Sequence, residues 1–346
     1  MSGGIAQLVA VGAQDAHIVG NPEVSFFRST YKRHTNFAQT VEKQVIQGNP
    51  ATNGMSTVRF ERKGDMLGHV YITNRSPVNT QTRGDWKDQI KKVELLIGGQ
   101  VIDTQTSEFS QEIAPVMLSQ TYSKSLAASV DANGKSGFYP LRFSFCENAQ
   151  SALPLVALQY HDVEIRISWA AVAAAPDYEV HAQFVYLDTD ERTAISSAPH
   201  NMLITQTQES IASLTTIQEL NLNHPVKFLA AYKSGGVGTA GHNLTLQING
   251  TDVGDAKKVN PNYTSTSLYY HTPFSTMDSA TATHFLYPFC LDTSKLQPTG
   301  TLNFSRLDSA RLVCETGTEP FDSSMYAVNY NILRIENGMG GLMYSN

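Results

Sequence analysis

The stretch Gly236-Val-Gly238-Thr-Ala-Gly241 spells the glycine pattern of a dinucleotide loop, and it follows an apolar run at 226–232. Such a loop holds a pyrophosphate only where a helix begins and aims its first amides at the phosphates. The residues that follow, His242-Asn-Leu244-Thr-Leu246-Gln-Ile248, alternate as a strand does, so a glycine loop between two strands is expected instead. Asp188 and Asp190 could chelate a divalent cation. They also open a capping-box pattern, Asp188-x-x-Glu191, that stops before Pro199, and a helix start is the reading preferred here. His161-Asp162 has the look of a proton-transfer dyad, but neighbours on a strand face opposite ways. Cys146, Cys290 and Cys314 are far apart with no CxxC, which predicts small buried apolar residues in place of a metal site or a disulfide framework. No HExxH, GxSxG, Walker loop or DxDxDG occurs. The expectation is a protein that is no enzyme and needs no cofactor or metal.

One basic cluster remains: Arg28, Lys32, Arg33 and His34, interleaved with Phe26, Phe27 and Tyr31. Asn21-Pro22-Glu23 reads as a helix start, with Val24, Phe27 and Tyr31 on one face and Arg28 one turn from Lys32. Either this is a solvated face or it anchors an acidic partner. A net charge of -6, with only 16% charged residues, argues against a general nucleic-acid binder, and no sequence-specific nucleic-acid partner is expected.

At 346 residues with 41% hydrophobic content, two packed domains are the default. The first 20 residues lack Lys and Arg, and no apolar run approaches a membrane span of ~20 residues, which predicts a soluble protein. The patterning is mostly of period two. Val93, Leu95 and Ile97 run into Gly98-Gly99, and Leu244, Leu246 and Ile248 run into Asn249-Gly250, both hairpin signals. Val163, Ile165, Ile167 and Trp169 alternate, as do Tyr326, Val328, Tyr330 and Ile332. Short strands separated by turns predict antiparallel sandwiches. A second helical or looped stretch is expected over 108–130. Residues 190–200 read as the domain boundary.

The halves resemble each other. Phe145-Cys146, Pro154, Leu158, Tyr160 and Val163 match Phe289-Cys290, Pro298, Leu302, Phe304 and Leu307 without a gap, and Leu95-x-Ile97-Gly98-Gly99 echoes Leu246-x-Ile248-Asn249-Gly250. A repeat this long suggests a duplicated domain.

Five blocks, in order from end to end, resemble the major capsid proteins of nucleocytoplasmic large DNA viruses. They are GGIAQLVAVGAQDAHIVGNPEVSFFRSTYKRHTNFA (3–38), LRFSFCENAQSALPLVALQYHDVEIRI (141–167), YLDTDER (186–192), QPTGTLNFSRLD (297–308) and NYNILRIENGMGGLMYSN (329–346). The resemblance implies an all-β tandem double jelly-roll, two eight-stranded antiparallel sandwiches with few short helices. It divides the chain into an N-terminal arm at 1–24, a first roll at 25–189, a linker at 190–200 and a second roll at 201–346. It also implies a homotrimer that imitates a hexagon, trimer–trimer contacts in an icosahedral virion capsid, minor capsid proteins and an internal membrane layer as partners, and assembly in the host cytoplasm. Arg28, Tyr31, Lys32 and Arg33 would then face the inner base, and the 234–241 loop the outer crown. The chain is short for such a family, which implies trimmed outer loops. Two alternatives share the fold: a minor capsid paralogue, and a lectin-like protein using Tyr269, Tyr270 and Phe274.

Overall fold

The computed structural model describes residues 3–74, 83–121, 137–171, 177–237, 241–273, 283–315 and 321–345. They form two compact units, Met1–Asn36 and Phe37–Asn346. In the first, Gly3–Val9 and Ala16–Val19 are short helices. The helix expected from Pro22 does not form, and residues 20–36 have no regular secondary structure. Asn21 is left-handed at φ 51°. The Val24, Phe27, Tyr31 stripe is exposed, Phe27 to 99% and Tyr31 to 83%. A helix this short needs a buried face, because nucleation outweighs local propensity.

The second unit contains four antiparallel sheets in two pairs. Sheet A runs Phe37–Gln44, Tyr178–Leu187, Met66–Asn74, Phe138–Pro140, with Leu153–Pro154 also on Met66–Asn74. Sheet B runs Ile46–Gln47, Met55–Arg59, Val163–Trp169, Ile90–Ile97, Gln100–Thr106. Sheet C repeats the order of A: His200–Ser210, Met325–Glu336, Pro225–Tyr232, His284–Pro288, with Leu302–Asn303 on Pro225–Tyr232. Sheet D repeats the last four strands of B, Ile217–Glu219, Ala310–Cys314, Asn243–Ile248, Thr251–Asp252, with Lys257–Lys258 also on Asn243–Ile248. A faces B and C faces D, so the chain is two jelly rolls in tandem. Helix Thr189–Ser197 joins them, capped by Asp188, whose Oδ1 accepts from Thr189 N at 2.7 Å.

The alternation seen in sequence is the sandwich's own logic. Val180, Ala182 and Phe184 point inward from Tyr178–Leu187 while their neighbours stay half-exposed. They join Val70, Ile72, Ile165, Ile167 and Trp169 in the first core. Leu229, Ala231, Leu244, Leu246, Phe285 and Leu312 build the second. Both predicted hairpins form: Gly98 and Gly99 have φ of 59° and 83°, Asn249 and Gly250 of 50° and 79°. Those paired left-handed residues match the right-handed twist of the flanking strands. Gly236 and Val237 lead towards strand Asn243–Ile248 and not towards a helix. Gly238 lies outside the described residues.

The duplication is plain in the pairing register. Tyr71 pairs with His181 and Pro140 as Ala230 pairs with Tyr326 and Leu286. Each pair of central strands carries a bulge at the same place, after Leu67 and after Val226. The ungapped sequence match is nonetheless out of step. Leu302 corresponds to Leu153, each pairing at the start of the equivalent strand, and not to Leu158. Ala310, opposite Ile248, corresponds to Val163, opposite Ile97. Loops of unequal length separate the strands, so no single offset aligns the halves.

Each roll also carries the same excursion beyond its Gly-turn hairpin: a wide π-helical turn that tightens into an α-turn. In roll one these are Phe109–Ile113 and Ala114–Met117, and in roll two Asn262–Thr266 and Ser267–His271. The first pair forms the start of the stretch expected over 108–130, of which 122–130 lies outside the described residues.

Candidate assembly surfaces

The two rolls meet along a polar seam. Strand Gln100–Thr106, at the edge of sheet B, faces His200–Ser210 of sheet C. Asp103 Oδ1 accepts from Thr207 N at 2.8 Å and Thr104 N at 2.9 Å, and its Oδ2 accepts from Gln105 Nε2 at 2.9 Å. Burial pushes the Asp103 carboxyl up to about 7 even though these donors pull the other way. Gln206 donates to the Ile102 carbonyl and accepts from Asn331 Nδ2 at 2.9 Å. Tyr326 OH accepts from Thr106 Oγ1 and donates to Glu108 Oε2, both at 3.0 Å. Burial holds that phenol far above its ordinary range.

Two staples flank the seam. Arg192, on the connecting helix, makes a fork on Asp65 with Nε–Oδ1 and Nη2–Oδ2 both 2.9 Å, and Leu187 N also donates to Asp65 Oδ2 at 2.8 Å. The hairpin Met325–Glu336 and Met339–Leu342, turned at Asn337 and Gly338, lies against roll one. A Cβ on Gly340 would come 2.6 Å from Leu158 Cδ2 and 3.2 Å from Ile97 Cγ2. His161 Nδ1 lies 2.8 Å from the Gly340 carbonyl oxygen, while Asp162 pairs with Arg59 at 2.6 Å. The supposed dyad thus serves two separate contacts. Leu158 and His161, Arg192, and Gly340 thus bring parts of the 141–167, 186–192 and 329–346 blocks to the joint and its flank.

The outer faces of sheets A and C differ. On sheet C, Phe228, Ala230, Leu286, Tyr326 and Val328 are covered by Phe109, Ile113 and Met117 of roll one, with Leu268 and Cys290 beside them, forming a third apolar cluster. Lys227 is buried nearby. Its Nζ donates to Thr293 O at 3.0 Å and sits 5.2 Å from the Tyr330 ring centre. Desolvation lowers this ammonium to about 8, opposed by Cys290 and Asp292. On sheet A the corresponding positions are His69, Tyr71, Pro140, His181 and Gln183. All of these but His181 line a groove of about 830 Å³ that also takes in Gln111, Pro115, Phe138 and Cys146.

Of the residues singled out in sequence, Arg28, Tyr31, Lys32 and Arg33 all lie exposed in the irregular part of the Met1–Asn36 unit, so Arg28 and Lys32 are not one helical turn apart. Asp188 is a cap, and Asp190 lies in that helix's first turn. Cys290 and Cys314 are buried and Cys146 half-buried, none of them in a disulfide. Tyr269 and Tyr270 are 71% and 72% exposed with their rings 5.0 Å apart, and Phe274 lies outside the described residues. Among the described residues, no cluster of three or more His, Cys, Asp or Glu could hold a metal, and no helix is long and apolar enough to cross a membrane. Sequence reasoning missed the seam: Asp103 and Gln105 look like the polar half of an alternating strand, and only the fold reveals that both faces are covered.

Two sandwiches fused in tandem and locked by a shared seam place the protein in the double jelly-roll class of capsid proteins. Residues 25–196 match a family described as the major capsid protein N-terminus, and 235–341 match the large eukaryotic DNA virus major capsid protein. Along its whole length the chain is 33% identical to the major capsid protein of Pyramimonas orientalis virus and 30% identical to that of Paramecium bursaria Chlorella virus 1, each relative also being covered completely. A solved structure of the PBCV-1 virus capsid superposes with a TM-score of 0.77 at 26% identity, covering 93% of this chain and all of that one. The chain belongs to the major capsid proteins of large eukaryotic DNA viruses.

Proposed function

We propose that this chain forms a homotrimer whose six rolls make a pseudo-hexagonal block, and that these blocks tile an icosahedral virion capsid. The observation that carries this is the repeated strand order: three copies of two similar rolls supply six similar corners. The role is structural and not catalytic. In this reading the rolls divide as 25–189 and 201–346 about the 190–200 linker, and the capsid is assembled in host cytoplasm with minor capsid proteins beneath it. Arg28, Tyr31, Lys32 and Arg33 form the inner-base contact. Residues 24–36 carry three cations and no carboxylate, and with their exposed aromatics they suit an acidic minor protein or the headgroups of an internal membrane layer. The purified protein is expected to elute at about 114 kDa, three times the 37.9 kDa chain, and to appear six-cornered with threefold symmetry by electron microscopy. A monodisperse monomer at micromolar concentration would refute the trimer.

A further inference from the structure

The two outer-face sites occupy equivalent places on the two rolls, one covered by roll one's excursion and the other bordering a groove. Register fixes the correspondence. Ala230 sits where Tyr71 does, Tyr326 where His181 does, and Leu286 where Pro140 does. In the filled site the occupant is roll one's wide turn and α-turn, with Phe109, Ile113 and Met117 seated on sheet C. The equivalent site on sheet A borders the groove of about 830 Å³. There the Nε2 of Gln111, 2% exposed, has no acceptor among the described residues.

The chain also has a second occupant of the same build. Roll two's wide turn Asn262–Thr266 and α-turn Ser267–His271 repeat the roll-one excursion, and Tyr269 and Tyr270 at its tip project into solvent. In a ring of alternating rolls, contacts from roll one to roll two occur within a chain, and contacts from roll two to roll one occur between chains. A closed ring of similar rolls requires the second kind to imitate the first.

We propose that helix Ser267–His271 of one copy docks in the sheet A groove of the next, with Tyr269 and Tyr270 as anchors against Tyr71, Phe138 and Gln111. This deepens the trimer reading above and rests on it. The occupant is a second copy because knob and groove repeat, on the opposite rolls, the two halves of a contact already present inside the chain. Chemistry agrees with the difference in setting. The internal contact is apolar because it never opens, whereas a surface that must stay soluble before assembly is better served by phenols facing His69, His181 and Gln183. Tyrosine supplies large area with a polar tip at low entropic cost.

The test uses the full chain. Tyr270 holds the place in roll two's α-turn that Met117 holds in roll one's, and Cys146 lines the sheet A groove in which that turn is proposed to seat. Tyr270→Cys treated with a short bismaleimide should therefore link to the half-buried Cys146 of the neighbour, giving covalent two- and three-chain species on a denaturing gel. Adding Cys146→Ser should abolish them. Separately, Tyr269→Ala/Tyr270→Ala should keep the wild-type circular dichroism but dissociate on dilution at a concentration on the order of thirtyfold higher or more. A wild-type trimer whose double variant dissociates at an unchanged concentration, or whose cysteine variant remains trimeric yet does not cross-link, overturns this docking and leaves the trimer standing. A wild-type monomer overturns both.

Discussion

Replacing Asp103 by asparagine should change how stability follows pH. In the folded chain the carboxyl titrates near 7, against 3.8 for the ordinary group. The folded state therefore holds its proton over a range where the unfolded chain has lost it. Stability contributed by this group is fully present below about pH 4, falls as pH rises, and is gone above about 7. Three pH units at ~1.36 kcal/mol each amount to about 4 kcal/mol at full burial. The substituted amide does not titrate. It keeps the acceptor for Thr207 N and Thr104 N, but its NH2 group would face the Gln105 donor, which costs ~1–3 kcal/mol at every pH. The difference in urea midpoint between wild type and Asp103→Asn, followed from about pH 4.5 to 8.5, should thus slide steadily towards the variant and level off near pH 7. The difference isolates one residue, because every other titrating group is common to both proteins. Parallel profiles would mean that water reaches Asp103 or that the seam is open in solution, and the burial argument would fail.

Gly340→Ala should lower the thermal midpoint by ~1–3 kcal/mol equivalent, since its Cβ would overlap Leu158 Cδ2 at 2.6 Å. Gly341→Ala, whose nearest neighbour is the flexible end of Gln100 at 3.2 Å, should be milder, and equal effects would refute the close-approach account. Arg192→Lys replaces a two-pronged contact with Asp65 by a point charge and should lose about 1 kcal/mol in chemical denaturation, the solvent around this half-exposed arginine weakening the pair. Lys227→Met should flatten the pH dependence above 8. The folded ammonium gives up its proton near 8 against 10.5 unfolded, so wild-type stability rises between those values by about 3 kcal/mol, and a variant with the same rise would place the lysine in water.

Much of the fold was legible because antiparallel sandwiches write themselves in period two. Leu95, Ile97 and Gly98-Gly99 announce a hairpin, and its copy at Leu246, Ile248 and Asn249-Gly250 does so again. Asp188 was readable as a cap because capping depends on local backbone alone. The Val24, Phe27, Tyr31 stripe failed as a helix because amphipathic spacing predicts structure only where something covers the apolar side, and these rings lie open. The groove and its knob were illegible for another reason. Ala114–Met117 and Ser267–His271 share no residue pattern, and only pairing registers in distant strands reveal that they occupy equivalent places. Tyr269 and Tyr270 drew notice as exposed aromatics, but sequence offered no partner for them except a sugar.

The joint between the rolls is made of amides, a carboxylate and hydroxyls whose partners are fixed one by one. Sliding strand Gln100–Thr106 by a single residue would turn Asp103 and Gln105 away from Thr207 and strand their polar atoms in a dry space. Grease would forgive such an error, and this lining does not. It works as a vernier: the sandwiches engage at one setting or stay apart, so every copy leaves folding with the same angle between its walls.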